Sequence, residues 1–238
     1  MSALPGSYLS NNQSVQNEKI FNNCKKLLKF KLILVGEAAV GKTSIISRFV
    51  NNQFEKKYKC TIGSEFKLKT FILENYGIQM EIYDTCGTEK FRAITRQYYR
   101  NTNGIFLIFD LTNPISFTKL DDWIADIKNS APRDSITFVI GNKKDLELKR
   151  NVSNWVIENN LRKNNIDNYF ETSALTGDGV EFAFKAMAKV LLEKDKLKTL
   201  LEKNNMNNNI IDDKKSLRSI SSTYSSSTIG KDKKSGCC

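Results

Sequence analysis

Short apolar runs alternate along this chain with longer segments in which apolar residues recur at helical spacing. The runs, rich in β-branched and aromatic residues, predict strands at Leu32–Val35, Phe66–Leu73, Ile78–Tyr83, Ile105–Phe109, Ile136–Ile140 and, shorter than the rest, Tyr169–Phe170. Amphipathic helices are predicted to begin near Lys42, Pro114, Val152 and Val180. This alternation predicts an α/β fold in which a six-stranded, mostly parallel sheet carries helices on both faces.

The second and third predicted strands are the exception to the parallel arrangement. Only the residues Glu74 to Gly77 lie between them. That is too short for a helical crossover, so we expect an antiparallel hairpin. In open sheets of this kind, ligands bind at the carboxyl ends of the strands. Residues that directly follow strands are therefore the candidates for chemistry.

Composition divides the chain into three regions. A polar head (1–26) and a tail rich in Asn, Ser and Lys (199–238) flank a body (27–198) that holds the apolar pattern. Head and tail cannot bury enough apolar surface to fold and are predicted to be disordered, so one folded domain is expected. The serine-rich run 221–227 is interpreted as linker, with phosphorylation as the alternative.

Composition also argues against several classes of protein. The longest apolar stretch, Ile105–Phe109, is far shorter than the roughly 20 residues of a transmembrane helix, and the head lacks the apolar core of a secretory signal. Five scattered cysteines without metal-ligand spacing, and the absence of histidine, predict a reducing compartment and no catalytic imidazole. The net charge of +11 is spread along the chain, so no nucleic-acid partner is expected.

A phosphate-binding motif, G-x-x-x-x-G-K-[ST], directly follows the first strand. It comprises Gly36, Glu37, Ala38, Ala39, Val40, Gly41, Lys42 and Thr43. Its glycines let backbone N–H groups wrap phosphate oxygens at the start of the next helix. Lys42 is predicted to reach the β- and γ-phosphates of a nucleotide, and Thr43 to bind Mg²⁺. Asp84, after the third strand, is predicted to hold Mg²⁺ through water, with a plain turn residue as the alternative.

Two further loops carry groups that suit a guanine base. Asn142, Lys143 and Asp145 follow the fifth strand, and Ser173 and Ala174 follow the sixth. The Asp145 carboxylate can accept hydrogen bonds from guanine N1–H and N2–H₂, a pair of donors that adenine does not offer. The Ala174 N–H can donate to guanine O6, and the Lys143 stem can lie along the base. Taken alone, the motif Asn142 to Asp145 also suits an ordinary polar loop.

Together and in this order, the motifs resemble those of the Ras superfamily of small GTPases, over about Lys29 to Leu192. Within that superfamily the chain is similar to Rab proteins in three segments, Thr61–Phe66, Tyr98–Arg100 and Leu107–Thr112. The resemblance implies a P-loop GTPase fold, GTP and GDP as ligands, Mg²⁺ as cofactor, and hydrolysis of GTP to GDP and phosphate.

The resemblance also implies roles for single residues. Thr61 would contact the γ-phosphate and Mg²⁺, Phe54 would stack on guanine, and Tyr58 would close over the phosphates. Further nucleotide contacts are implied for Ser44, Gly87 and Leu175. Catalytic roles are implied for Lys42, Thr61, Gly87 and Thr88.

The chain departs from the family pattern just after Gly87. Family members carry Gln at the next position, where it orients the attacking water, whereas this chain has Thr88. A hydroxyl on a shorter side chain cannot reach the same point, so intrinsic hydrolysis is expected to be slow. Cys86, where Ala is usual, and Ala38 are further changes beside the same atoms. A neutral exchange at position 88, covered by another group, is the alternative.

The last two residues, Cys237 and Cys238, follow a lysine-containing segment. They resemble the Rab-type substrate for double geranylgeranylation, with unmodified thiols as the alternative. Two lipid chains would hold the protein on the cytoplasmic face of an intracellular membrane, from which it would cycle through the cytosol.

The family resemblance extends to partner proteins. It implies effectors, an exchange factor, an activating protein, a dissociation inhibitor and a prenylation escort, and a monomer is expected. The aromatic surface that effectors contact would consist of Phe66, Tyr83 and Tyr98, with Tyr83 in place of the usual Trp. Packing of these three rings into the core is the alternative.

Three functions are compatible with these features. The first is a GTP/GDP switch that recruits effectors in vesicle traffic. The second is a membrane adaptor that binds GTP but scarcely hydrolyses it, and Thr88 separates it from the first. The third, a kinase on a similar sheet, is disfavoured by the guanine motifs.

Overall fold

The computed structural model describes residues 24–56, 64–85 and 96–225, with side chains described over 24–56, 66–85 and 96–203. The strands are β1 (Leu27–Val35), β2 (Ser64–Leu73), β3 (Tyr76–Thr85), β4 (Gly104–Asp110), β5 (Ile136–Asn142) and β6 (Tyr169–Thr172). The helices are α1 (Lys42–Asn51), α2 (Pro114–Thr118), α3 (Leu120–Ser130), α4 (Asn154–Asn164) and α5 (Val180–Ser225), with a 3₁₀ helix at Lys144–Lys149.

The six strands form one sheet in the order β2-β3-β1-β4-β5-β6. β2 pairs antiparallel with β3 through the predicted hairpin, and every other neighbouring pair is parallel. The predicted fold class is therefore confirmed. The prediction of a single helix near Pro114 was wrong in one respect, since α2 and α3 are separate helices divided at Lys119.

The order of the strands reverses at β1, and this reversal determines where the site lies. β1 has β3 on one side and β4 on the other. The connection after β1 leads to β2 and β3, and the chain then returns past β1 to β4. Such a reversal of strand order opens a crevice at the carboxyl end of the central strand. The loop Gly36 to Gly41 lies at that end of β1.

Helices cover both faces of the sheet, because alternate residues of each strand point to opposite faces. Leu32 and Leu34 of β1 pack in one cluster with residues of α1 and α5. Ile33 and Val35 pack in a second cluster with residues of α3 and α4. All four are 0% exposed, and full burial of a side chain of this size contributes about 1.5–3 kcal/mol. The second half of β1, Leu32–Val35, is thus uniformly apolar because both of its faces are core.

The chain divides into two units, Met1–Leu192 and Glu193–Cys238. In the first, α5 buries Phe184, Met187 and Leu191 in the sheet core. In the second, helix continues to Ser225, whereas the sequence predicted disorder from residue 199. A helix makes its backbone hydrogen bonds within itself, and the Leu, Lys and Glu residues around position 200 favour it. None of the helices in the described ranges combines the length and apolar character that a bilayer span requires.

Candidate nucleotide site

The phosphate loop lies between β1 and α1 and depends on two glycines. Gly36 has φ 138° and Gly41 has φ 101°, values in the left-handed region that favours glycine. A Cβ at Gly36 would overlap the Ile108 carbonyl oxygen of β4, and a Cβ at Gly41 would overlap the Asn142 side chain. The loop therefore lies so close to β4 and β5 that only glycine fits at these two positions.

Lys42, the first residue of α1, is buried, with 6% of its surface exposed. Its Nζ donates to the carbonyl oxygens of Gly36 at 2.9 Å and of Glu37 at 2.8 Å. The ammonium group thus lies over the loop that precedes the helix. A buried cation requires acceptors, and phosphate oxygens at this place would be stronger ones than carbonyls. The helix N-terminus adds its own positive end.

The two predicted magnesium ligands, Thr43 and Asp84, are in contact. Thr43 Oγ1 donates to Asp84 Oδ2 at 2.6 Å, although the residues come from α1 and from the end of β3. Thr85 Oγ1 donates to the Leu34 carbonyl oxygen at 2.6 Å and ties the same end of β3 to β1. Mg²⁺ takes oxygen ligands, commonly one or two from protein beside waters and phosphates. This donor set therefore fits Mg²⁺.

Asn142 joins the phosphate loop to the loop after β6. Its Nδ2 donates to the Val40 carbonyl oxygen at 2.9 Å, and its Oδ1 accepts from Thr172 Oγ1 at 3.1 Å. The Ala174 N–H also donates to Asn142 Oδ1, at 3.3 Å. Asn142 is 1% exposed, so it acts as a buried connection between the two loops. The long bond from Ala174 occupies the N–H that was predicted to meet guanine O6.

The predicted base-recognition groups lie at the ends of β5 and β6. Ser173 Oγ donates to Asp145 Oδ1 at 2.6 Å, which leaves the exposed Asp145 carboxylate oriented by a neighbouring loop. Lys143 has a left-handed backbone, φ 67°, and its Nζ pairs with Asp110 Oδ2 at 2.6 Å. The side chains of Asp145 and Lys143 are thus oriented without a ligand by partners at the ends of β6 and β4.

Arg48 of α1 is a site residue that the sequence did not single out. Its Nε donates to the Ala174 carbonyl oxygen at 2.9 Å, and its Nη2 donates to the Leu175 carbonyl oxygen at 2.7 Å. Its Nη1 donates to the Asn52 carbonyl oxygen at 3.0 Å. Arg48 therefore fastens the loop after β6 to the helix that follows the phosphate loop. No local sequence signal marks it, since its loop partners are more than 120 residues away along the chain.

Asp110 and Trp123 were also missed. Asp110 ends β4, pairs with Lys143, and is 5% exposed. Its place after a strand was a usable signal. Trp123 of α3 donates from Nε1 to Glu37 Oε1 at 2.9 Å, which anchors the phosphate loop to a helix that no motif includes.

The remaining predicted nucleotide contacts fall into two groups. Phe54 is partly buried and packs against the core cluster on the α1 side of the sheet. Val40 is buried, Ser44 is half-buried on α1, and Ala38, Ala39 and Leu175 are exposed. Tyr58, Thr61, Cys86, Gly87 and Thr88 lie outside the described residues, as do Cys237 and Cys238.

The three rings predicted to form an effector surface are neighbours. The ring centroids of Phe66 and Tyr83 are 5.3 Å apart, and those of Tyr83 and Tyr98 are 5.7 Å apart. Phe66 is 47% exposed, whereas Tyr83 and Tyr98 are half-buried against the core. The rings thus combine partial core packing with an accessible aromatic surface.

A half-buried ion pair fixes the loop that carries Asp145 to β6. Arg150 donates from Nη1 to Glu171 Oε2 at 2.9 Å and from Nη2 to Glu171 Oε1 at 2.6 Å. Tyr169 Oη donates to the same carboxylate at 2.8 Å. Burial alone would raise the pKa of Glu171, but the hydrogen bonds from Arg150 and Tyr169 outweigh it and lower that pKa below its ordinary value of 4.5.

This shift predicts an acid-dependent loss of stability. Because the pKa of Glu171 is lower in the folded than in the unfolded protein, its contribution is complete above about pH 4.5 and falls as the pH drops through the folded pKa. At pH 7, Glu171→Gln should lower the free energy of unfolding by roughly 1–3 kcal/mol. Urea unfolding of both proteins from pH 7 to pH 3, with GDP and Mg²⁺ held constant, should show this gap narrowing once the pH falls below about 4.5.

Glu158→Gln is the matched control for that experiment. Glu158 is 63% exposed and lies 3.8 Å from Arg162, so its loss should change stability by less than about 0.5 kcal/mol at any pH. A gap for Glu171→Gln that stays constant down to pH 3 would contradict the ionic origin of the effect.

The chain is similar to known proteins over most of its length. The model of the Ras family matches residues 31–193. The chain is 41% identical over 166 residues to Ras-related protein Rab-1 of Theileria parva, covering 69% of this chain and 75% of that protein. It is 39% identical over 165 residues to Ras-related protein Rab-13 of Rattus norvegicus, covering 69% and 81%.

A third similarity extends further along the chain. It is with Ras-related protein Rab-11C of Dictyostelium discoideum, at 32% identity over 215 residues, covering 88% of this chain and 96% of that protein. In all three comparisons the aligned length covers at least two thirds of both proteins.

Proposed function

The chain belongs to the Rab branch of the Ras family of small GTPases, and we propose that it is a lipid-anchored GTP/GDP switch that recruits effectors in vesicle traffic. One observation carries the proposal. The phosphate loop, the Thr43–Asp84 contact and the Ser173–Asp145 contact all lie at the carboxyl ends of strands of one sheet. The site can therefore bind the phosphates and the base of one guanine nucleotide together with its cation.

Phosphate binding would use groups that the fold has already positioned. Backbone N–H groups of the loop would surround the phosphates, and Lys42 Nζ would exchange the Gly36 and Glu37 carbonyls for phosphate oxygens. Asn142 keeps the loop in place through the Val40 carbonyl. Little reorganisation is then needed on binding, which favours affinity.

Thr43 and Asp84 are the residues that would hold Mg²⁺, with Thr61 added in the GTP state. When bound, the cation neutralises negative charge on the β- and γ-phosphates as phosphoryl transfer proceeds. The protein's own part is to keep the Thr43 hydroxyl and the Asp84 carboxylate together beside the loop, which Thr85 supports by its bond to Leu34.

Guanine specificity would come from Asp145. Its Oδ1 accepts from Ser173 Oγ at 2.6 Å, so the carboxylate is oriented while lone pairs stay available for N1–H and N2–H₂. The Ala174 N–H would exchange its 3.3 Å bond with Asn142 for guanine O6. Arg48 holds the carbonyl of the same residue and so limits how far this loop moves.

The chain is a GTPase, and we infer that its intrinsic turnover is slow because Thr88 cannot orient the water. Thr88→Gln should raise the single-turnover rate of GTP hydrolysis by about tenfold or more, since a small misplacement of a reacting group can cost 100-fold. The rate is measured with Mg²⁺ and with purified protein in excess over GTP.

Thr118→Gln is the control, since Thr118 is an exposed threonine on α2 whose hydroxyl donates to the Ile115 carbonyl oxygen of its own helix. It should leave the rate unchanged. Equal and appreciable rates for wild type and Thr88→Gln would mean that another group positions the water. A wild type without measurable turnover would favour the second candidate, a GTP-binding membrane adaptor, which Thr88 also supports.

The anchor and the effector surface complete the proposal. Geranylgeranyl groups on Cys237 and Cys238 would give stable membrane binding, because one chain alone binds only marginally. Phe66, Tyr83 and Tyr98 would offer effectors a continuous aromatic surface. The regulators expected for such a switch are an exchange factor, an activating protein, a dissociation inhibitor and a prenylation escort.

A further inference from the structure

A basic pocket of about 440 Å³ lies away from the nucleotide site. Its cations are Lys29 and Lys31 of β1 and Arg100, which precedes β4. One carboxylate, Glu81 of β3, faces them, and Lys31 and Glu81 are partners in the strand register. Positive charge is therefore in excess within a small volume.

The floor of this basic pocket is built by a set of hydrogen bonds around Lys31. Its Nζ donates to the Arg100 carbonyl oxygen at 2.7 Å. Its backbone N–H donates to Asn103 Oδ1 at 2.8 Å, and the Asn103 N–H donates to the Lys31 carbonyl oxygen at 2.9 Å. Lys31 Nζ also lies 4.9 Å from the centroid of the Tyr83 ring. The half-buried Lys31 ammonium is thus positioned by a carbonyl oxygen and an aromatic ring.

Position along the strands separates the basic pocket from the nucleotide loops. Lys31 lies five residues before Gly36, which corresponds to about 16 Å along β1. Asn101 and Asn103 precede β4, at the edge of the sheet opposite to the carboxyl ends. A ligand here would not compete with the nucleotide for space.

The chemistry of the lining favours a small polyanion over a peptide. Besides the cations and Glu81, the lining consists of three amide side chains, those of Gln97, Asn101 and Asn103. None of these residues is an aromatic or aliphatic side chain of the kind on which a protein partner usually anchors. Burial lowers the pKa of Lys31, partly offset by Glu81. A bound anion would relieve this cost of holding a charge away from water.

We propose that the basic pocket binds a phosphate ester with two or more phosphate groups, either the headgroup of a phosphorylated inositol lipid or a soluble inositol polyphosphate. Two ammonium groups, a guanidinium and three amides supply more donors than one carboxylate or phosphate can use. The volume also leaves room for the ring between the phosphates. This binding goes beyond the switch function and does not depend on it.

The proposal is tested by isothermal titration calorimetry with inositol 1,4,5-trisphosphate. The full-length protein is first loaded with GDP and Mg²⁺ so that the phosphate loop is filled. The double variant Lys29→Gln, Arg100→Gln should raise its Kd at least tenfold, and Lys29→Gln alone should raise it by a smaller factor. Both side chains are exposed, so unchanged thermal melting is expected. Lys31 is left intact because it packs on Tyr83.

The charge-matched control is Lys189→Gln, Arg133→Gln, which removes one exposed lysine and one exposed arginine elsewhere. It should leave the Kd unchanged within twofold. Equal weakening by both double variants would overturn the proposal in favour of net charge alone. An octaglutamate peptide that binds the wild type as tightly as the trisphosphate would assign the basic pocket to an acidic protein segment instead.

Vesicles distinguish the two sources of the ligand. Unlipidated protein is sedimented with phosphatidylcholine vesicles with or without 5% phosphatidylinositol 4,5-bisphosphate at constant ionic strength. Binding that needs the phosphorylated lipid and is lost in the Lys29, Arg100 variant supports a lipid headgroup. Binding of the soluble trisphosphate without vesicle binding supports a soluble ester. Binding of neither probe would refute the proposal while leaving the GTP switch untouched.

Discussion

Replacing Asp145 with asparagine is expected to lower the affinity for GTP by about 100-fold, because hydrogen bonds to a charged group contribute roughly 1.5–3 kcal/mol each. Asparagine keeps the shape and can still accept from Ser173 Oγ. Its amide N–H₂, however, would face the guanine N2–H₂ group, donor against donor. Xanthine carries an oxygen at that position, so affinity for XTP should rise in the same variant.

Competition binding of GTP, XTP and ATP to wild type and Asp145→Asn measures the effect. Glu147→Gln is the control, since Glu147 lies in the same 3₁₀ helix and is 68% exposed. It should leave all three affinities unchanged. If Asp145→Asn weakens GTP and XTP equally, Asp145 supports the loop and does not contact the base.

The largest effect on stability is expected at Phe184 of α5. Its ring is 0% exposed, stacks on Phe49 with centroids 3.9 Å apart, and meets Phe106 edge-on at 4.8 Å. Truncation removes buried area and both aromatic contacts and leaves a cavity. Phe184→Ala should therefore lower the free energy of unfolding by about 3–5 kcal/mol. Denaturant unfolding with GDP and Mg²⁺ at fixed concentration measures it, since bound ligand itself adds stability.

Phe182→Ala provides a control on the same helix, two residues away. Phe182 is 66% exposed and contacts only Phe170 among the described rings, edge-on at 5.6 Å. Its loss should cost less than about 1 kcal/mol. Similar losses for both variants would indicate that α5 contributes through its helical backbone and not through the buried face.

The aromatic core around Phe184 also bears on the site. Phe49 belongs to α1, whose first residues are Lys42 and Thr43. Loss of packing beneath α1 would therefore loosen the phosphate-binding end of the same helix. Nucleotide release from Phe184→Ala should accordingly be faster than from Phe182→Ala in the same preparations.

Much of the fold could be predicted from the alternation of strands and helices. Full burial on both faces makes Leu32–Val35 of β1 and Ile105–Phe109 of β4 continuous apolar runs, and the short connection between β2 and β3 permits only a hairpin. The break between α2 and α3 could not be predicted, because both segments carry helical periodicity. The helix over 199–225 was not predicted, because disorder was inferred from the small apolar surface that this segment could bury. The backbone hydrogen bonds of a helix are local and do not require such burial.

The sequence by itself determined which residue types follow each strand, and hence the phosphate, cation and base motifs. Their chemistry depends on local order: two glycines, a lysine and a hydroxyl in one loop, and carboxylates after strands. Sequence also carried the departure at Thr88 and the terminal cysteines, which lie outside the described residues and stay predictions.

Only the tertiary structure decided which distant residues hold those motifs together. Asn142 bonds Val40, Arg48 bonds Ala174, and Lys31 bonds Arg100 across the sheet. The physical reason is that such contacts depend on strand order and on which ends meet, and a parallel sheet places neighbours far apart along the chain. The basic pocket has the same origin, since its cations become one site only where β1, β3 and the segment before β4 converge.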